Sequence, residues 1–495
     1  MSDASRRHAP LALDPETFRA LGHRLVDDLA ELIAGVPAGP VTPDRSPAVI
    51  RKAFDLERPL PQDGTAPDEL LARTTRLLFA HSLFNAHPRF FGYVTAPPAP
   101  IGVLGDFLAA ALNANVGSWT LSPAATEIEA QTVRWIAELI GYPAGSGGLL
   151  VSGGNMANIV GFLAARAARV PWDVRAKGTR EGDRLPVAYA SAETHTWIQK
   201  AADMAGLGTD QIRWIPTDGD QRMSVPQLVA ALDADVAAGR LPFIVIGTAG
   251  SVSTGAVDPL QALAELCRAR GLWLHVDGAY GGFAAAAPDC PPDLRELRLA
   301  DSVAVDPHKW LYAPLEAGCA LVRDPAALTA AFSYHPPYYH FDERVTNYVD
   351  YGPQNSRGFR ALKVWLALQH AGARGYQTMI GDDMALSRAL ADAVSAHPEL
   401  ELITQQLSIT TFRYVPESLR AGIGQEHVEQ QLNRLNAELL DRIQHGGAAF
   451  VSNAVVRGRY VLRACIVNFH TELADVLALP DLVVRMGRSL ATQPA

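Results

Sequence analysis

The chain has 495 residues, 48% hydrophobic and 19% charged, an ordinary balance for a globular protein with a large buried core and room for more than one domain. Lys and Arg number 43 against 52 Asp and Glu, a formal charge of -9 without a block of like charges, so neither nucleic acid nor an anionic membrane surface is favoured as a partner. The four cysteines, Cys267, Cys290, Cys319 and Cys465, lack CxxC spacing; they suggest neither a zinc site nor a disulfide framework, and they fit a reducing compartment.

The N-terminus, MSDASRRHAPLALDPETF, lacks the apolar core of a signal peptide, and no apolar stretch approaches the ~18 residues of a spanning helix. A soluble, cytoplasmic protein is expected. The first element begins at DPETFRALGHRLVDDLAELIAG, where Asp14 can cap, Pro15 suits the first turn, Phe18, Leu21, Leu25, Leu29 and Leu32 form one stripe, and Gly35 ends the helix. The Pro- and Gly-rich stretches GVPAGPVTPDRSP and LERPLPQDGTAPDEL make this helix an arm joined by extended segments, of the kind that packs on a partner subunit.

From about residue 100 to 375, helix-like segments alternate with short β-rich runs, among them LPFIVIGTAG, GLWLHVDGAY, DSVAVDPHKW and AGCALVRD. That alternation predicts an α/β fold with a mainly parallel sheet between helices, in which ligands bind beyond the carboxyl ends of the strands. Beyond about Leu386, ITTFRYV, GAAFVSNAVV and YVLRACIV alternate as a small antiparallel sheet would. The expected parts are an N-terminal helical arm over 1–95, a large α/β domain over 96–380 and a small α+β domain over 381–495.

Asp277 and Lys309 each end an apolar, β-like run, one crossover apart. A lysine and an aspartate so placed suit pyridoxal 5'-phosphate: the lysine forms the Schiff base, and the aspartate keeps the pyridine nitrogen protonated so that the ring can accept electrons. Taken singly, Asp277 reads equally well as a turn former, while Trp310 and Leu311 beside Lys309 argue against a freely solvated lysine. Ser152, Gly153, Gly154 and Asn155 form a glycine turn before a strongly helical run, where backbone N–H groups can face an anion; alone, it reads more simply as a turn. His195 and His308 carry no weight in isolation.

Together these residues resemble the group II pyridoxal-phosphate-dependent decarboxylases, the family of aromatic-L-amino-acid decarboxylase. The resemblance covers most of the chain and rests on HPRFFGYV (87–94), SPAATEIE (122–129), HVDGAY (275–280), DPHKWL (306–311) and SRGFRALKVW (356–365) in order. It implies the fold type I architecture of aspartate aminotransferase, with a sheet of the seven-stranded type. It also implies Lys309 as the Schiff-base lysine, Asp277 as the partner of the pyridine nitrogen, Ala279 under the ring and His195 stacked over it. Gly154 and Asn155 would hold the phosphate, with Asp306 and His308 nearby and Thr248 close to the cofactor. No metal is implied.

RVTNYVDYGPQNSRGFRALKVW resembles the family's mobile loop, which completes the site of a neighbouring subunit and so implies a homodimer. On it, Tyr348 falls on the catalytic tyrosine that returns a proton to the substrate carbon after carbon dioxide leaves, with Tyr351 the competitor if the register slips. A tyrosine there favours simple decarboxylation over the aldehyde synthase branch, which typically has phenylalanine; the substrate the resemblance implies is an aromatic L-amino acid. Val94, Asn115 and Gly117 stand where the aromatic subgroup has bulkier side chains, which leaves room for a differently shaped or more polar substrate, while Tyr93 and Trp119 keep some aromatic character.

Overall fold

The structure, a computed structural model, describes residues 9–181, 184–335 and 344–491. Its centre is a seven-stranded sheet built from β2 (Gly147–Val151), β3 (Pro186–Ser191), β4 (Ile212–Ile215), β5 (Leu241–Thr248), β6 (Trp273–Asp277), β7 (Ser302–Val305) and β8 (Gly318–Val322), in the order β2-β8-β7-β6-β5-β3-β4. Neighbouring strands run parallel except β8, which is antiparallel to both β2 and β7. The near-continuous apolar runs follow from burial on both faces: every residue of β6, β7 and β8 is buried.

A second sheet combines β1 (Phe90–Phe91), β9 (Leu400–Gln406), β10 (Ile409–Tyr414), β11 (Phe450–Val456) and β12 (Arg459–Cys465), in the order β1-β11-β12-β10-β9. It is antiparallel as expected, apart from β1, which adds to β11 in parallel and so ties residue 90 to the C-terminal part of the chain. Its core includes Phe91, Leu390, Phe412, Leu439, Val451, Leu462 and Val483.

No chain break separates the two cores near residue 380, because the helix Ala361–Ala396 runs through that position. Up to Met384 its buried side chains join the core of the large sheet, and from Leu390 they join that of the small one. The helix is interrupted at Gly372, whose φ of 65° is open to glycine at little cost.

The first helix spans Pro15–Gly35, with the Asp14 carboxylate accepting from the N–H groups of Glu16 and Thr17 at 3.0 and 2.9 Å. It buries none of its residues. The segment after it is less extended than its composition suggests: Ser46 caps a helix over Pro47–Phe54, and a third helix spans Pro67–His81. Both begin on a proline, whose fixed φ favours the first helical turn as readily as it breaks an interior one. Among the described residues no helix is long and apolar enough to cross a membrane.

Candidate active site

Sheet register assembles the site. Thr248 at the end of β5 lies beside Asp277 at the end of β6, and Asp277 beside Ala304 on β7. Two residues beyond Ala304, Asp306 precedes the single turn Pro307–Trp310 that carries His308 and Lys309. The strand ends thus bring Thr248, Asp277, Asp306 and Lys309 to one edge, although up to 61 positions of sequence separate them. They line a cavity of about 580 Å³ together with Gly154, Asn155, His195, Ala279 and His308.

The lysine and aspartate have distinct surroundings. Lys309 Nζ lies 3.1 Å from Asp306 Oδ2. Asp277 is buried, and its Oδ2 accepts from Trp197 Nε1 at 2.7 Å while its Oδ1 accepts from the Ala279 N–H at 3.1 Å. These two donors stabilise a buried carboxylate, which suits it to face a cation. Trp197 was not singled out from the sequence; its signal was a large aromatic two positions after His195 whose buried indole N–H needs an acceptor.

His195 is open on its cavity side, but the surrounding wall displaces enough water to lower its pKa. The charge of Asp277 opposes that shift and Lys309 adds to it, so a neutral imidazole is favoured near pH 7. His308 is likewise pushed down, mainly by burial. Its Nδ1 lies 2.7 Å from the Ala317 carbonyl oxygen, which orients the ring.

The opposite wall suits a phosphate. The helix Gly154–Arg169 points its N-terminus at the cavity through Gly153, whose φ of 135° and ψ of 178° lie in a region reserved for glycine. A Cβ on Gly154 would lie 2.6 Å from Asp306 Oδ2, so only glycine keeps this wall close. Thr248 Oγ1 and Asp306 Oδ1 are buried without hydrogen-bond partners, polar atoms that a bound ligand or its water can satisfy. The Asp306 charge would oppose a phosphate; the adjacent Lys309 ammonium offsets it. These residues fit pyridoxal phosphate.

Tyr348 does not line this chain's own cavity: it opens a short 3₁₀ turn, is 1% exposed, and its ring lies under the Arg357 guanidinium at 4.6 Å and meets Tyr351 edge-on at 5.8 Å. Arg357 in turn binds Glu129 and the Leu150 and Val116 carbonyls. Burial also raises the phenol pKa well above its ordinary value, making it a weaker acid. Of the three positions expected to shape specificity, Val94 lines the cavity, whereas Asn115 and Gly117 pack against the segment 347–357.

This sheet, with a lysine, an aspartate and a glycine-capped helix converging at its carboxyl edge, defines a pyridoxal-phosphate-dependent enzyme of fold type I. Residues 49–415 match the model of the pyridoxal-dependent decarboxylase conserved domain, and the chain belongs to that family: it is a pyridoxal-phosphate-dependent amino-acid decarboxylase, a lyase. It is 32% identical over 474 residues to an aromatic-L-amino-acid decarboxylase of Bacillus atrophaeus, covering 95% of each chain. It is 31% identical over 467 residues to a phenylacetaldehyde synthase of Petunia hybrida, covering 92% of this chain and 91% of the relative. The Oryza sativa TDC solved with PLP and tryptamine superposes with a TM-score of 0.89 at 28% identity, over 98% of this chain and 99% of that one.

Proposed function

We propose that the protein converts an aromatic L-amino acid to its amine and carbon dioxide. The observation that carries this reading is the convergence of Lys309, Asp277 and the Gly153–Gly154 turn in one cavity. The bound cofactor supplies the electron sink that makes loss of carbon dioxide possible. Lys309 would hold the cofactor covalently, and Asp306 is the counter-charge of its free ammonium. Asp277, held by Trp197 and the Ala279 N–H, would face the ring nitrogen and hold the proton there. Gly154, Asn155 and His308 would surround the phosphate, and Thr248 and Ala279 would border the ring. Neutral His195 would cover the ring's outer face and orient the substrate.

Incubating the holoenzyme with each common L-amino acid and measuring carbon dioxide and amine tests the reading. Turnover of aromatic substrates with equimolar amine is expected; turnover confined to non-aromatic ones would refute the substrate class.

A second reading, decarboxylation coupled to oxidation by molecular oxygen and loss of the amine, is favoured by the phenylacetaldehyde synthase relative, while Tyr348, as the proton donor to the substrate carbon, favours the first. Aldehyde, ammonia and hydrogen peroxide in place of amine would establish it.

The same reading includes a homodimer. Its support is apolar surface that one chain leaves open: Phe18 and Phe107 stack at 6.4 Å yet are 54% and 52% exposed, beside exposed Leu104, Leu108 and Leu112 on the helix Pro100–Leu112.

A further inference from the structure

Asn158 lies outside the set of residues expected to hold the cofactor, yet it lines the same cavity as Lys309 and Asp277. It sits one turn into the helix Gly154–Arg169, on the face that carries Gly154, and is 1% exposed. Its side chain ends a hydrogen-bonded chain that starts inside the sheet. Trp273 Nε1 lies 2.8 Å from Ser302 Oγ, Ser302 Oγ lies 2.7 Å from His275 Nδ1, and His275 Nε2 lies 2.7 Å from Asn158 Oδ1. Gly161 brings helix and strand this close, since a Cβ there would stand 2.6 Å from the His275 ring.

The first member sets the direction of the whole chain. An indole N–H can only donate, so Ser302 Oγ accepts from Trp273 and its own hydrogen is left for His275 Nδ1. Burial pushes the His275 pKa down to about 4, so the ring is neutral, and Nε2 carries its one hydrogen and donates to Asn158 Oδ1. The reverse direction would strand the Ser302 hydroxyl hydrogen, because among the described residues Ser302 Oγ meets only Trp273 and His275. The Asn158 amide is thus fixed with its oxygen toward the sheet and its nitrogen turned away from it. Nδ2 has no hydrogen-bond partner among the described residues, and the surface that Asn158 keeps belongs to the cavity wall. An amide donor left unpaired in so enclosed a place is costly unless something in the cavity accepts from it.

We infer that Asn158 is a further cofactor-binding residue that donates from Nδ2 to an oxygen of pyridoxal phosphate, with His275 the positioning residue that turns this donor toward the cavity. The inference rests on pyridoxal phosphate occupying this cavity and is independent of the substrate. Two acceptors share the chemistry: the phosphate oxygens and the ring hydroxyl oxygen. A neutral donor also suits the site electrostatically. It attracts an oxygen without competing with Lys309 for Asp306, as a second cation would.

The test titrates apoprotein with pyridoxal phosphate and, separately, with pyridoxal, following the visible absorbance of the lysine-linked cofactor to obtain a dissociation constant for each. Asn158→Asp keeps an oxygen for His275 to donate to but turns an acceptor toward the cavity, and Asn158→Ala leaves room for water. Both should bind pyridoxal phosphate about tenfold or more weakly than the wild-type protein, Asn158→Asp the more so. An unchanged pyridoxal constant assigns the phosphate as acceptor, and an equal loss for pyridoxal assigns the ring hydroxyl. His275→Leu should share the loss, and His275→Gln, whose amide can donate where Nε2 did, should recover part of it. Denaturant unfolding of each apoprotein shows that it is folded. Wild-type affinity in Asn158→Asp, or a loss in His275→Leu that His275→Gln does not reduce, overturns the inference while the cofactor reading stands. If wild-type apoprotein takes up no pyridoxal phosphate, both fall together.

Discussion

Gly154 offers the sharpest test of the phosphate wall. Its Cβ position lies 2.6 Å from Asp306 Oδ2 and 2.9 Å from the Ala279 Cβ, closer than side-chain atoms come without displacement. In Gly154→Ala, replacing glycine within a helix gains about 1 kcal/mol of propensity, while overpacking costs about 1–3 kcal/mol, so unfolding stability should fall by about 0–2 kcal/mol. What must move is informative: Asp306 is the partner of Lys309, and the Ala279 N–H binds Asp277. If restoring both for the cofactor repeats that overpacking cost, pyridoxal phosphate should bind about 5- to 150-fold more weakly. Spectroscopic titration of the apoprotein measures this. Gly208→Ala is the control: at φ 83° with no neighbour within 4 Å, it strains only its own backbone and should leave cofactor affinity unchanged. Wild-type affinity in Gly154→Ala would refute the close approach of this turn to the cofactor.

Lys309→Ala should abolish turnover together with the visible absorbance of the lysine-linked cofactor; retention of both would remove Lys309 from its role. Arg357→Met strands the Glu129 carboxylate, which is 0% exposed, and should cost about 3–5 kcal/mol in denaturant unfolding, whereas a change below about 1 kcal/mol would show that the pair is not what holds the segment around Tyr348. Asp383, pushed up to about 7 chiefly by burial, accepts from Trp310 Nε1 and Tyr312 Oη at 2.8 and 2.7 Å. Its folded pKa exceeds the unfolded one, so the folded state holds the extra proton and stability falls as pH rises from about 4 to 7, by at most ~1.4 kcal/mol per unit; Asp383→Asn should flatten that slope in urea unfolding measured across the range. Phe107→Glu places a charge in the exposed apolar patch and should shift sedimentation from dimer to monomer; an unchanged dimer would move the interface elsewhere.

Elements governed by local periodicity and capping were legible in the chain. The helix beginning after Asp14, the strands ending at Thr248 and Asp277, and the small C-terminal sheet all follow from apolar spacing and turn residues that act within a few positions. The candidate cofactor residues were legible for a similar reason: ligand chemistry gathers at the carboxyl ends of parallel strands, and each apolar run shows its own end. Burial decided by distant partners was not. Tyr348 reads as a loop residue in sequence, but Arg357 and Glu129, which lies more than 200 positions away, make it a core ring. Arg463 reads as one polar residue in an apolar strand, and only the company of Tyr93 and Ser452, with no ion pair among the described residues, distinguishes it from the paired Arg413. The sequence by itself therefore determined the fold class, the cofactor and the residues proposed to hold it. Tertiary structure alone decided which polar groups are compensated, because the desolvation of a charge depends on every element packed around it.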